Sequence, residues 1–213
     1  MDMLLILGLV AGGVGAMFFA HRFTAEETLK RKVRAARRWK IGEIPEGTLG
    51  RIVGRAGALR ETLFAPITGR TCVYYVVELR EHQADMVTIV REERGVAFVV
   101  EDDSGRAVVE PEGAKLVLTT DARTSSGGIG DAPTPPELAF LRRHGVGERG
   151  RVLTYHEAII EIGEPVAVVG AGMREHDPDA PAGMYRETAM RLRMTSGRRH
   201  PLVISDDTST AAD

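Results

Sequence analysis

Thr71-Cys72-Val73-Tyr74-Tyr75-Val76-Val77-Glu78-Leu79-Arg80-Glu81 is the stretch on which the fold turns. Val73, Tyr75, Val77 and Leu79 alternate with Tyr74, Glu78 and Arg80, the period-two pattern of a strand. β-branched and aromatic side chains fill it, which suits a pleated, packed surface. Residues 71–81 are therefore expected to form the strongest strand of the chain. Upstream, Pro45-Glu46-Gly47 breaks any helix, and residues 50–59 read as a strand with a Gly-rich bend. Downstream, strands are expected at 86–91, 96–101, 107–110 and 114–119, with Asp102-Asp103-Ser104-Gly105-Arg106 as a hairpin loop. Residues 120–134 have the Gly, Ser, Thr and Pro content of a surface loop.

Thr134-Pro135-Pro136-Glu137 starts a short helix: Thr134 caps, Pro135 takes the first position, and Glu137 completes a capping box. Leu138 and Leu141 face inward, Arg142, Arg143 and His144 suit the negative helix end, and Gly145 terminates it. Residues 152–162 and 166–173, joined by Gly163-Glu164-Pro165, read as a long hairpin. An acidic loop at 175–184 precedes strands at 188–194 and 202–205. Eight to ten short strands with one helix predict a mainly β domain over residues 42–206. It is either a small β-barrel, OB-like in its most specific version, or a two-sheet sandwich. Residues 207–213 are polar and are expected to form a disordered tail.

Ahead of this domain, residues 3–20 (MLLILGLVAGGVGAMFFA) carry no charged side chain. Eighteen residues make roughly 27 Å of helix, close to the hydrocarbon thickness of a bilayer. A signal peptide lacks its basic n-region here, and a soluble core helix would be apolar on one stripe only. A transmembrane anchor over residues 1–20 fits best. Gly8, Gly12, Ala16 and Ala20 form a small-residue ridge along which two such helices can pack, which predicts a homo-oligomer through the span. Residues 21–41 form a basic juxtamembrane segment. Thr24 and Glu27 have capping-box spacing for a helix running to about Trp39. Lys30, Arg31, Lys32, Arg34, Arg37, Arg38 and Lys40 follow, with Trp39 suited to the membrane interface. These eight residues are the expected membrane-surface contact, with anionic lipid headgroups as partner. The one-sided basic flank places the N-terminus outside and the domain in the cytoplasm.

The chain has 213 residues and a net charge of −2, which conceals an asymmetry. Residues 21–40 hold eight basic side chains against two acidic ones, whereas 20 basic residues face 27 acidic ones beyond position 40. An acidic domain argues against nucleic acid as a partner. Cys72 is the only cysteine, which precludes an intramolecular disulfide.

Several segments together resemble one family. They are Glu46-Gly47 with Gly50-Arg51-Ile52-Val53-Gly54, Ala65-Pro66-Ile67-Thr68-Gly69-Arg70-Thr71-Cys72-Val73-Tyr74-Tyr75, and Glu101-Asp102-Asp103-Ser104-Gly105-Arg106. To these are added Phe140-Leu141, Gly163-Glu164-Pro165-Val166 and Pro201-Leu202-Val203-Ile204-Ser205-Asp206. In this order, just after an anchor, they resemble the GIDE, or beside-a-membrane, domain of organellar membrane ubiquitin ligases and of bacterial membrane proteins. The resemblance implies a β domain held beside a membrane. It does not carry over the ligase chemistry, because a RING needs about eight Cys and His ligands and this chain has one cysteine.

No chemical motif stands out. Cys72, with His82 or His156 as base, lies inside the most apolar strand and reads as a buried hydrophobe. His176, Asp177 and Asp179 read as a solvated loop before a metal site, and Asp102 and Asp103 as turn residues. No catalytic residue, cofactor or metal is therefore expected. Tyr74 and Tyr75 point to opposite faces of their strand; one belongs to the core, and the other, with Arg70 and Arg80, forms a recognition surface. The sequence thus predicts a non-catalytic, membrane-anchored interaction or scaffold module with a protein partner it does not name. The alternative is a ligase-related or enzyme-complex component whose catalytic part lies on another chain.

Overall fold

The computed structural model describes residues 26–82, 86–127, 131–147, 149–179, 189–197 and 200–211. The span at 3–20, its Gly8, Gly12, Ala16 and Ala20 ridge and the Thr24 cap lie outside these residues. Among the described residues, no helix is long and apolar enough to cross a membrane.

The domain is mainly β, as its alternation predicts. The strand read from Tyr74 and its neighbours is β3 (Thr71–His82), and it is buried on both faces from Cys72 to Leu79. One edge of β3 pairs with β9 (Leu153–Glu161), which pairs in turn with β8 (Ala122–Ser126). The other edge takes β2 (Leu63–Phe64) and then β4 (Met86–Gly95). A bulge between Cys72 and Tyr74 shifts the register, so that Val73 and Tyr74 both face one side.

A second, eight-stranded sheet runs in the order β11, β12, β6, β5, β1, β10, β13, β7. Its members are β1 (Gly50–Ala58), β5 (Phe98–Asp102), β6 (Gly105–Val109), β7 (Lys115–Val117), β10 (Pro165–Gly170), β11 (Gly172–His176), β12 (Met190–Met194) and β13 (Val203–Ser205). The β12–β6 and β13–β7 pairs are parallel, and the others are antiparallel.

Three apolar clusters give the layer order. Val73, Tyr74, Val76 and Ile160 of the first sheet meet Ile52, Phe98, Val100, Val168, Leu192 and Ile204 of the second, so the sheets share one core. The far face of the first sheet packs Tyr75, Val77, Leu79 and Tyr155 against Phe140 and Leu141 of α2 (Pro135–Arg143). The far face of the second packs Ala167, Val169 and Val203 against Leu29, Val33 and Ala36 of the neck. Helix, sheet, sheet, helix is the resulting order.

Local signals hold where they are chemically specific. Glu137 accepts the Thr134 N–H at 2.7 Å, and Gly145 closes α2 with φ +65°. Asp102 accepts from the Ser104 and Gly105 N–H groups, the Asx chemistry expected of its turn. Four segments differ from expectation. The neck helix α1 covers residues 26–35 and does not continue to Trp39. There the chain turns extended: Arg38 bridges Arg51 in parallel, and the Trp39 N–H donates to the Arg51 carbonyl. Residues 152–173 do not form a hairpin, because β9 and β10 belong to different sheets and the Gly163-Glu164-Pro165 turn carries the chain between them. Part of the 120–134 loop pairs with β9 as β8. Within the tail, Thr208–Ala211 forms a short helix, α3, rather than disordered chain, held by Ser205 and Arg51 of the second sheet and by Arg34 of the neck.

Candidate functional site

The basic neck is not a free linker. Val33 is fully buried against the second sheet, with Leu29 and Ala36 beside it. Lys30 reaches Asp207 at 3.1 Å and Glu26 at 3.2 Å, and the Arg34 guanidinium donates to Ser209 Oγ at 2.6 Å. Arg51 adds a bond to the Thr210 carbonyl. The C-terminal turn therefore clasps the neck to the domain. Of the proposed membrane-surface set, Lys30 is half-buried against Asp207, and Trp39 turns into the protein. It packs on the shared core, with the Arg37 guanidinium 4.1 Å above its ring. Gly50 makes room for it, since a Cβ there would stand 2.5 Å from Trp39 Cδ1. Arg31, Lys32, Arg34, Arg37, Arg38 and Lys40 remain exposed, and Lys40 pairs with Asp103 at 2.9 Å. The neck is a cationic surface docked on the β domain.

The proposed recognition surface divides. Tyr74 and Tyr75 do face opposite sides, but both are buried, because β3 lies between two packed layers. Tyr74 donates to Glu93, and Tyr75 to Glu92 at 2.6 Å. Arg70 pairs with Glu161 and Asp121 near the β2–β3 turn. Only Arg80 enters a recess.

That recess is where β3 changes character. Along the core-facing side of the strand, Tyr74 and Val76 give way to Glu78 and Arg80. Register aligns Arg91 of β4, Glu78 of β3, His156 of β9 and Arg123 of β8 in one row across four strands. Glu78 has a side chain only 8 % exposed and accepts from Arg80 at 2.7 Å and Arg91 at 2.6 Å. Arg91 also donates to Glu93 at 2.7 Å. Leu116 and Leu118 close the far wall, and Glu26 of α1 stands at the rim. The recess has a volume of about 190 Å³ and is partly open to solvent. His156 Nε2 is buried there with no hydrogen-bond partner among the described residues. Burial, reinforced by the Arg80 and Arg123 charges, holds the His156 ring below the usual histidine range.

Sequence reasoning missed Glu78, Arg91 and His156 as a group. The change from Val76 to Glu78 and Arg80 on one strand face was a usable signal; the cross-strand row was not, since register is a tertiary property. A wider depression of about 610 Å³ lies beside α2, between Leu138, Leu141, Val146 and Arg142, Arg149 and Arg151. It is open to solvent, and of its lining cations Arg151 pairs with Glu81 at 3.1 Å.

Cys72 is fully buried, and burial pushes its thiol up to about 11. His156 lies opposite Glu78, roughly 20 Å along β3 from Cys72 at the usual rise per residue, and faces the other way. His82 bonds Thr154 at 2.8 Å. No nucleophile–base pair forms from these residues. Asp177 and Asp179 accept from the buried Arg191, which turns the acidic loop into an ionic tie between β11 and β12. Among the described residues, no group of three His, Cys, Asp or Glu gathers as metal ligands. Comparison with protein-family models, with curated proteins and with solved structures returns no match to this chain.

Proposed function

We propose that the protein is a membrane-anchored, non-catalytic interaction module whose rigid β domain is held against an anionic surface by its neck. The observation that carries this reading is the docked α1. One face of the helix is buried on the second sheet while Arg31, Lys32, Arg37 and Arg38 point to solvent, so the cations share a fixed orientation with the domain. The uncharged run at 3–20 supplies the span, and Gly8, Gly12, Ala16 and Ala20 supply a packing ridge for a second copy. The resemblance to the GIDE domain supports the same placement beside a membrane, and the one-sided basic flank at residues 21–40 favours the cytoplasmic side for the domain. The two-sheet arrangement favours a sandwich over an OB-like barrel.

The chain from residue 21 onward is expected to bind vesicles containing anionic lipid and to release in high salt. Each cation near such a surface contributes about 1 kcal/mol. Replacing Arg31, Lys32, Arg37 and Arg38 together by Gln should abolish most of that binding without unfolding the domain. Equal binding of wild type and variant, or equal binding to neutral vesicles, refutes the electrostatic account.

A further inference from the structure

We propose that Phe64 and Ile162 form an apolar tip that enters the interfacial layer of the bilayer beside the anchor. The inference rests on the reading that residues 3–20 span a membrane, and it names where the β domain itself touches lipid.

Strand alternation puts both side chains on one face. Leu63 and Ala65 pack on the α2 side of the first sheet, so Phe64 between them points to the other side. Ile160 lies in the core shared by the two sheets, and Ile162, two residues on, points the same way. Phe64 pairs with Thr71, and Cys72 pairs with Glu161. Continuing that register sets Thr71 between Phe64 and Ile162, which stand roughly 10 Å apart across two strand spacings. The second sheet does not cover this row. Phe64 is 70 % exposed, more than any other large apolar side chain among the described residues, and Ile162 is 48 % exposed. An aromatic ring beside a branched aliphatic side chain suits the boundary between headgroups and acyl chains.

The place of the tip in the molecule selects the bilayer as its occupant. A short series of contacts joins it to the first turn of α1. Lys30 holds both Glu26 and Asp207. Asp206, the preceding residue, accepts the Thr119 N–H, and Asp121, two residues after Thr119, meets Arg70 at 3.5 Å. Arg70 also pairs with Glu161, the residue before Ile162. The uncharged run ends at Ala20, six residues before Glu26, and six residues reach at most about 20 Å. A span ending there keeps the bilayer within reach of this side of the domain. The charges around the tip nearly cancel: Arg55, Arg60 and Arg70 stand against Glu61, Asp121 and Glu161, and burial holds the Glu164 carboxyl above the usual carboxylate range. The contact is therefore apolar, unlike that of the neck.

The test reconstitutes the full chain into vesicles of phosphatidylcholine, brominated on its acyl chains, mixed with phosphatidylglycerol. A second Trp is introduced in turn as F64W, I162W and M173W, and wild type, whose only Trp is Trp39, supplies the background emission. All three positions are exposed, so the substitutions leave the packing intact. Met173 serves as the remote control: it lies on β11, at the far edge of the second sheet from β7, whose chain leads on to Thr119 and Asp121. F64W and I162W should each emit at shorter wavelength and lose roughly half of the added emission, as rings within about 10 Å of the acyl boundary would, and M173W should lose none. Unquenched F64W and I162W in vesicles that retain the chain through carbonate extraction overturn the tip and leave the anchor standing. Equal quenching of M173W overturns the tip as well. A shift to shorter wavelength without quenching means that protein covers the tip, either a second copy or the chain's own residues, and also overturns the proposal. Loss of the chain from the vesicles on carbonate extraction overturns the anchor, and the tip with it.

Discussion

Asp206, just after β13, is only 6 % exposed and has Glu164 and Asp121 nearby. Its Oδ1 accepts the Thr119 N–H at 2.8 Å, and its Oδ2 has no partner among the described residues. Burial, reinforced by the neighbouring carboxylates, pushes this carboxyl up to about 7. A raised acid is held neutral by the fold. Its favourable contribution is complete below the unfolded value near 4 and is lost as pH rises through 7. Asp206→Asn should therefore stabilise the protein by about 2 kcal/mol at pH 8 and leave it unchanged near pH 4, read from urea melts at the two pH values. A gain of equal size at both would show that the carboxyl is not the cause. Cys72 makes a second expectation at this scale. Its buried thiol should resist iodoacetamide at pH 8 in native protein and react in urea, as followed by mass spectrometry. The burial of Cys72 was legible from its apolar neighbours. The carboxyl of Asp206 was not, because Glu164 and Asp121 lie far from it in sequence.

At the scale of elements, the neck is the informative case. Its sequence shows a thin stripe of Leu29, Val33 and Ala36, which is also what a helix lying on a membrane would show. The domain takes that stripe instead: Ala167, Val169 and Val203 present small apolar side chains to it, and the turn at Thr208–Ala211 holds the other side. Val33→Ala removes two fully buried methyl groups and should cost about 2 kcal/mol in a urea melt. Deleting residues 207–213 removes the Asp207, Ser209 and Thr210 contacts with Lys30, Arg34 and Arg51. Faster amide exchange confined to residues 26–36 is the expected outcome. Global acceleration would mean that the clasp supports the whole domain. The helix α2 behaved differently. Its cap, proline and terminal glycine are local devices, and they could be read without knowing the partner.

The whole molecule is two sheets around a shared core with a helix on each outer face. Its core is apolar burial, and among the described residues no group of three His, Cys, Asp or Glu gathers as metal ligands. Excess chelator is expected to leave the far-ultraviolet circular dichroism and the melting midpoint unchanged. A lowered midpoint would reveal a metal contribution. The charge asymmetry has a physical consequence here too. With the neck fixed to the domain, the molecule carries its cations on one outer layer and a net acidic body behind it. An anionic bilayer would attract the first and repel the second, which favours one orientation.

The sequence by itself determined most of the element types, though not the strand at Ala122–Ser126 or the turn of helix at Thr208–Ala211. Alternation over residues 71–81, turn chemistry at Asp102 and Ser104, and the capping residues around α2 are consequences of interactions within a few residues. It also determined the uncharged run at 3–20 and the basic segment after it. Only the tertiary structure decided which strands share a sheet, that β9 and β10 do not, that Tyr75 is buried under α2, and that Arg91, Glu78 and His156 stand in one row. The reason is that a strand's pattern specifies which side chains point together, whereas its register and neighbours depend on burial summed over residues remote in the chain.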